Sequence, residues 1–229
     1  MAFRIPSNEN PDDLEIKKII QQRKIQNLIH FTRFENLESI LRSGFISRKI
    51  LIEKNFYFEP NDTGRLDCKD DATCFSIEFP NSFLLNTFKK KYPHSKWVII
   101  ILNINLINHY SKKHFCNRNA GGAASWVNSD NSKNWLAFES MFDERINSKS
   151  PLRAEQFYLK DYLPTDVQAE ILIEDIIDPQ YIKCLLFENI EDLEACKNMF
   201  IDKNIFCKYN PKVDGRYFRE REDFPWEDR

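Results

Sequence analysis

Glycine is scarce in this chain, with 5 among 229 residues. That scarcity excludes a glycine-loop phosphate cradle, a collagen repeat and a flexible glycine linker. Long apolar runs are missing too. The longest, Trp97 to Leu102, has the length of a strand, whereas a membrane span needs about 20 apolar residues, so no membrane association is expected. The amino-terminal stretch Met-Ala-Phe-Arg-Ile-Pro-Ser-Asn lacks the apolar segment of a signal peptide. Cysteines stand at 68, 74, 116, 184, 196 and 207, with no Cys-x-x-Cys and no histidine at ligand spacing. This scatter reads as reduced thiols of a cytoplasmic protein, not as a disulfide frame or a zinc site, and no metal is expected. A net charge of -2 excludes a chain that is basic all over, while leaving room for a local basic groove.

What is present is a polar chain able to bury a core. Charged residues make up 30%, hydrophobic residues 42% and aromatics 14%, with 19 Phe. Neither an internal repeat nor a linker interrupts it, so residues 1–229 read as a single domain, loose at residues 1–11 and over about the last 15. The pattern of elements is α+β. Asp12 caps a helix with Leu14, Ile16, Ile19 and Ile20 on its apolar face. Inside it, Glu15-Ile16-Lys17 matches half of a nuclease carboxylate-lysine pattern, but on a helix rather than a strand, so the match reads as chance. Asn27 to Phe31 is a short strand. Thr32 then caps a helix, with Glu35 completing a Thr-x-x-Glu capping box and Gly44 ending it. Phe45 to Pro60 is an extended aromatic connection. Strands follow at Thr73–Phe79 and Trp97–Ile104, the second a Val/Ile run that reads as central. Between them Asn81 opens a helix to Lys91. Residues 106–150 are irregular apart from a helix over Trp135–Phe142. Later come strands at Ile182–Phe187 and Ile205–Tyr209 with a helix at Ile190–Met199 between them. The tail Arg216–Arg221 is either loose or laid over a sheet edge.

Candidate chemistry lies in five places, the basic clusters taken as one. In Asp166-Val167-Gln168-Ala169-Glu170-Ile171-Leu172-Ile173, residues Ala169, Ile171 and Ile173 alternate onto one face of a strand, and Glu170 sits at its mouth. Glu170 is either a solvated edge carboxylate or a desolvated one with a partner or a task. His30 precedes a helix amino terminus, where free N–H groups favour an anion or a carboxamide, so His30, Thr32 and Asn36 line one pocket edge. The competing reading of His30 is a hydrogen-bonded core histidine. Arg65 lies in a turn-rich stretch, suited either to clamp a pyrophosphate or to pair with Asp62 or Asp67 on the surface. Asn119–Trp126 is a small-residue loop, either a mobile substrate loop or an ordinary surface loop. The clusters Lys89-Lys90-Lys91 and Lys112-Lys113-His114 have aromatics nearby, a mixture suited to single-stranded nucleic acid or simply to solvent.

Taken in order, these residues resemble a known family. His30-Phe31-Thr32 with Asn36-Leu37-Glu38-Ser39-Ile40-Leu41 and Gly44 is similar to the amino-terminal signature of DarT-type DNA ADP-ribosyltransferase toxins. Gln168-Ala169-Glu170-Ile171-Leu172-Ile173 resembles the strand bearing that family's catalytic Glu. Arg65-Leu66-Asp67, then Ser76-Ile77 and Phe79-Pro80-Asn81, resemble the intervening motif of one branch. The resemblance spans roughly residues 25–190 and implies an ADP-ribosyltransferase-like split, curved β-sheet core with surrounding helices, gripping NAD in its cleft. It implies transfer of ADP-ribose from NAD to a thymine or guanine of single-stranded DNA, with a macrodomain-bearing antitoxin as partner. Glu170 and Arg65 are then the expected catalytic pair, and His30, Thr32, Asn36, Arg65 and Ser76 the expected NAD contacts. Many relatives carry Tyr where Ser76 stands, which bears on the choice of base more than on the reaction.

The chemistry fits those residue types. Breaking the nicotinamide–ribose bond builds positive charge on the ribose, and a carboxylate stabilises that charge or takes a proton from the attacking base. Alternatives remain at this stage. They are an NAD hydrolase or protein ADP-ribosyltransferase of the same fold, a nuclease, which needs clustered metal-binding carboxylates, and a non-enzymatic single-strand binder.

Overall fold

The computed structural model describes residues 10–62, 64–146, 152–153 and 159–221. In chain order the elements are α1 Pro11–Arg23, β1 Asn27–Arg33, α2 Phe34–Ser43, α3 Arg48–Glu53, β2 Thr73–Ile77, α4 Ser82–Lys91, β3 Trp97–Asn103, β4 Lys113–Cys116, α5 Ala124–Val127, α6 Trp135–Ser140, β5 Glu170–Ile173, β6 Ile182–Phe187, α7 Ile190–Met199, α8 Lys203–Lys208 and β7 Pro211–Val213. Among the described residues seven strands form one sheet, ordered β4-β5-β2-β1-β3-β6-β7. Every pairing is antiparallel except β6 with β7. This is the expected α+β architecture, with helices on both faces of the sheet.

β3 explains its own sequence. Val98, Ile100 and Leu102 face the larger core beneath α2, where Leu37, Ile40 and Leu41 meet them. Ile99 and Ile101 face a second cluster with Leu85 and Phe88 of α4 and with Phe218. A strand covered on both sides reads as a continuous apolar run instead of an alternation. β5 is buried along its whole length for the same reason. Ile171 and Ile173 enter the larger core, while Leu172 packs with Cys116, Ala120 and Val127.

The sheet parts in its middle. β1 pairs with β3 along its full length, from Asn27↔Asn103 to Arg33↔Trp97. With β2 it shares only Leu28↔Ile77 and Ile29↔Ser76. Beyond Ile29 the two strands separate, and β2 continues alongside β5 through Thr73↔Ile173, Cys74↔Leu172 and Phe75↔Ile171. Gly44 helps to hold the two halves together. Its φ is +84°, and a Cβ there would lie 2.2 Å from the Ile177 carbonyl oxygen. That close approach lets Phe45 and Ile177 exchange both backbone hydrogen bonds, at 2.9 and 3.0 Å. Only a residue without a side chain tolerates both conditions.

Several expectations need correction. Thr32 belongs to β1 and caps nothing; Arg33 holds the N-cap position of α2 with no side-chain bond. Asn10, not Asp12, caps α1. The connection after Phe45 contains α3. Ile205–Tyr209 is not a strand. Asp202 caps α8 there, which turns Phe206 into the core, and the Tyr209 hydroxyl behind it donates to the Leu41 carbonyl at 3.1 Å. Lys113 and His114 are not a solvated basic cluster but lie on β4, both buried. Lys113 pairs with Asp13 at 2.5 Å, and His114 meets Glu174 at 2.6 Å. The tail covers the sheet: Phe218 is buried and Arg221 donates to the Pro164 carbonyl at 3.0 Å. Residues 1–9 and 222–229, expected to be loose, lie outside the described residues. All six cysteines are free thiols.

Candidate active site

Where β1 and β2 separate, a cavity of about 580 Å³ opens, within the range of about 300–1,000 Å³ usual for small-molecule sites. His30, Thr32, Asn36, Arg65, Ser76 and Glu170 all line it. They come from β1, α2, the loop before β2, β2 itself and β5, so the gap in the sheet is what collects them.

Glu170 opens β5 and is 7% exposed. One carboxylate oxygen, Oε2, accepts from the Ala120 backbone N–H at 3.1 Å. The other, Oε1, accepts a longer bond of 3.4 Å from Asn81 Nδ2. Burial pushes its pKa up to about 7; those two donors oppose the rise, Asp67 adds to it and Arg65 counters it. The group is thus poised between base and acid near neutrality.

His30 keeps part of its surface on the cavity, between the rings of Phe45 and Phe75 at 5.1 and 5.7 Å. Nδ1 lies 2.9 Å from the Cys74 carbonyl, across the gap between the strands. A carbonyl only accepts, so Nδ1 carries the proton. Nε2 therefore presents a lone pair, and among the described residues nothing hydrogen-bonds it. Burial lowers the pKa to about 4, which keeps the ring neutral at physiological pH.

The other candidates have polar partners within the protein. Asn36 Nδ2 donates to Thr32 Oγ1 at 2.9 Å and to the Glu59 carbonyl at 2.8 Å, while its Oδ1 accepts from Glu59 N at 2.7 Å. Ser76 Oγ accepts from Asn81 N at 3.0 Å. Arg65 has left-handed backbone at φ +35°. Its Nε lies 3.1 Å from Asp67 Oδ1, an ion pair without hydrogen-bond alignment. Its Nη atoms donate to the Lys69 and Ala72 carbonyls and to Cys74 Sγ. Of the two readings of Arg65, pairing with Asp67 describes its present contacts, although the pair is partly buried.

Two neighbours of Glu170 were not among the candidate site residues. Asn81 was legible as a helix opener and as part of the Phe79-Pro80-Asn81 motif, but its contact with Glu170 joins residues 89 apart. Ala120 lies in the small-residue loop Asn119–Trp126, and its backbone N–H carries no side-chain signal of the bond to Glu170. Among the described residues no group of three His, Cys, Asp or Glu side chains is placed to hold an ion.

Comparison with known proteins bears on the family and the fold. The family model described as "ssDNA thymidine ADP-ribosyltransferase, DarT" matches residues 29–218. Among solved structures, the DarT of Thermus sp. 2.9 in complex with carba-NAD+ superposes with a TM-score of 0.55 at 14% identity, over 84% of this chain and 97% of that one. The same protein in complex with NAD+ gives 0.52 at 11% identity, over 84% and 96%. Thermosipho africanus DarTG in complex with ADP-ribose gives 0.52 at 14% identity; 84% of this chain is covered, but only 51% of that one, about half its length. At these identities the likeness establishes the fold. No curated protein matches by sequence. With the family model covering β1 through the buried tail, the chain belongs to the DarT family of ssDNA thymidine ADP-ribosyltransferases.

Proposed function

We propose that this chain transfers ADP-ribose from NAD to a thymine ring of single-stranded DNA, with Glu170 as its catalytic carboxylate. One observation carries the assignment of residues. A buried carboxylate with raised proton affinity and a neutral imidazole with a bare Nε2 line one cavity at the parting of the sheet.

In this reading the bond between C1′ of the ribose and the nicotinamide nitrogen breaks, and its electron pair leaves with nicotinamide. The ionised Glu170 offsets the positive charge that grows on the ribose. Thymine within DNA has one ring N–H, at N3. As N3 attacks C1′, its proton passes to the Glu170 carboxylate and from there to solvent. His30 Nε2 accepts from a hydroxyl or carboxamide N–H of NAD. Thr32 and Ser76 present hydroxyls to the same wall, and Asn36 acts by fixing residues around Glu59. Arg65 meets the diphosphate by exchanging its carbonyl contacts for phosphate oxygens, since a charged acceptor outcompetes a neutral one.

The same proposal places the reaction in the cytoplasm. Among the described residues no helix is long and apolar enough to cross a membrane. A macrodomain antitoxin is the proposed partner, in keeping with the family resemblance.

The test is incubation with NAD and oligonucleotides of differing base content, read by mass spectrometry. Thymine-containing strands gain one ADP-ribose, and Glu170→Ala abolishes the gain. An active Glu170→Ala protein would sink the assignment, and NAD consumed with DNA untouched would point to a hydrolase.

A further inference from the structure

We propose that Asn81 is a positioning residue for the reaction. Through Nδ2 it orients the Glu170 carboxylate, and through its remaining polar groups it ties that carboxylate to α4 and β2. The proposal rests on Glu170 being the catalytic group.

Every polar group of Asn81 has a defined partner. The residue is 1% exposed. Its backbone N donates to Ser76 Oγ at 3.0 Å, and its carbonyl accepts from Leu85 N at 3.0 Å. Oδ1 accepts from Leu84 N at 3.1 Å, an N-cap bond. This last contact settles which way the amide points. A helix N–H requires an acceptor, so Oδ1 faces α4 and the NH₂ group is left to face Glu170. The reverse orientation would set an oxygen against the carboxylate and leave Leu84 N without its partner.

The strut is braced at both ends. Ser76 sits on β2 in register with Ile29 of β1, at the last pair before the two strands part. Glu170 is gripped from the opposite side by the Ala120 N–H. One donor on each oxygen restrains rotation of the carboxylate plane, and among the described residues Asn81 is the only side chain that hydrogen-bonds it. Other titratable groups face Glu170 from neighbouring elements: Asp67 and Arg65 from the loop before β2, Cys74 from β2 and Cys116 from β4. Asp67 and Arg65 act on it in opposite directions. Both cysteines are held as neutral thiols by burial, that of Cys74 pushed up to about 12.

Helix capping supplies a clean separation of roles. Asn, Asp and Ser are comparable N-caps. Asn81→Ser and Asn81→Asp therefore keep α4 capped while altering what Glu170 meets. Serine removes the amide donor, and aspartate adds a like charge. The Glu170 carboxyl is followed by carbon-13 NMR in labelled protein, with Glu170→Gln assigning the signal, alongside pH profiles of ADP-ribose transfer. The titration midpoint is expected to rise by about one pH unit in Asn81→Ser and about two in Asn81→Asp. From a midpoint of about 7, the ionised fraction at neutrality then falls about fivefold and about fiftyfold. kcat at neutrality falls by at least those factors, the acidic limb moves by the same interval, and KM for NAD stays within about threefold.

A midpoint and kcat unchanged in both folded variants would overturn the proposal. So would a rise in KM with kcat intact, which would make Asn81 a ligand contact instead. The NMR midpoint needs no turnover. If the wild-type protein failed to mark DNA, the functional reading would fall, while the midpoint would still decide whether Asn81 governs Glu170.

Discussion

Asn36 holds Glu59 as one strand holds another: its side-chain amide accepts from Glu59 N at 2.7 Å and donates to the Glu59 carbonyl at 2.8 Å. The Glu59 carboxylate adds a third anchor, an ion pair with Arg33 at 2.9 Å. These contacts fix the segment Phe56–Pro60 against the cavity, which it helps to line. Asn36→Ala is expected to cost about 2 kcal/mol of stability, from hydrogen bonds worth about 1 kcal/mol each. It is also expected to raise KM for NAD about tenfold while kcat changes little, because the loosened segment weakens binding without touching the reacting atoms. Steady-state kinetics distinguish this from a catalytic role, in which kcat would fall instead.

On the proposed role of Glu170, activity and stability depend on this residue with opposite signs. Its folded pKa of about 7 stands above the ordinary 4.5. Such a group stabilises the fold below the unfolded value, and that contribution is lost as pH rises through the folded one. By about pH 8 the ionised, buried carboxylate costs about 3 kcal/mol. Glu170→Gln is therefore expected to abolish transfer yet raise resistance to urea at about pH 8, with no gain near pH 4.5. Equal unfolding curves at the higher pH would contradict this.

His30 is expected to stay neutral, with its proton on Nδ1, down to a pH of about 4. Its lowered pKa has the reverse consequence for stability. The contribution is fully present above the ordinary 6.5 and is lost as pH falls through about 4. Nitrogen-15 NMR of the ring reads both tautomer and titration. A midpoint near 6.5 would show that the ring is solvated, because burial is what lowers the value while the bond to the Cys74 carbonyl raises it.

Gly44→Ala tests the join between the two halves of the sheet. A methyl group would strike the Ile177 carbonyl while the backbone is held at φ +84°. A loss of about 2–4 kcal/mol is expected, combining left-handed strain with damage to the Phe45–Ile177 bridge. Urea unfolding measures it. A loss under about 0.5 kcal/mol, the usual size for an innocuous surface change, would mean the bridge is dispensable.

Local pattern revealed much of this architecture. Alternation around Glu170, the Val/Ile run of β3 and Asn81 ahead of α4 each depend on neighbours a few residues away. β4 did not announce itself, because Lys113 and His114 look like surface residues until Asp13 and Glu174 arrive from 100 and 60 residues off. Nothing in Ile205-Phe206-Cys207-Lys208-Tyr209 forbids a strand; the Asp202 cap and burial of Phe206 decide for helix. The candidate residues could be picked out because their motifs are short, and the fold brings all of them to one cavity. Their tasks were not, since Asn36, Ser76 and Arg65 spend their polar atoms on partners that only the fold brings near.

The parting of β1 from β2 after two residue pairs makes the molecule mechanically a pair of plates with a short seam. A ligand seated there bears on both plates at once and works as mortar between them. Occupancy should then register as cohesion of the whole protein, by the same mass action that raises the stability of any fold whose native state alone binds. Amide exchange along β2 and β5 is where that tightening would first be seen, slowing on addition of NAD even when Glu170→Gln has removed all chemistry.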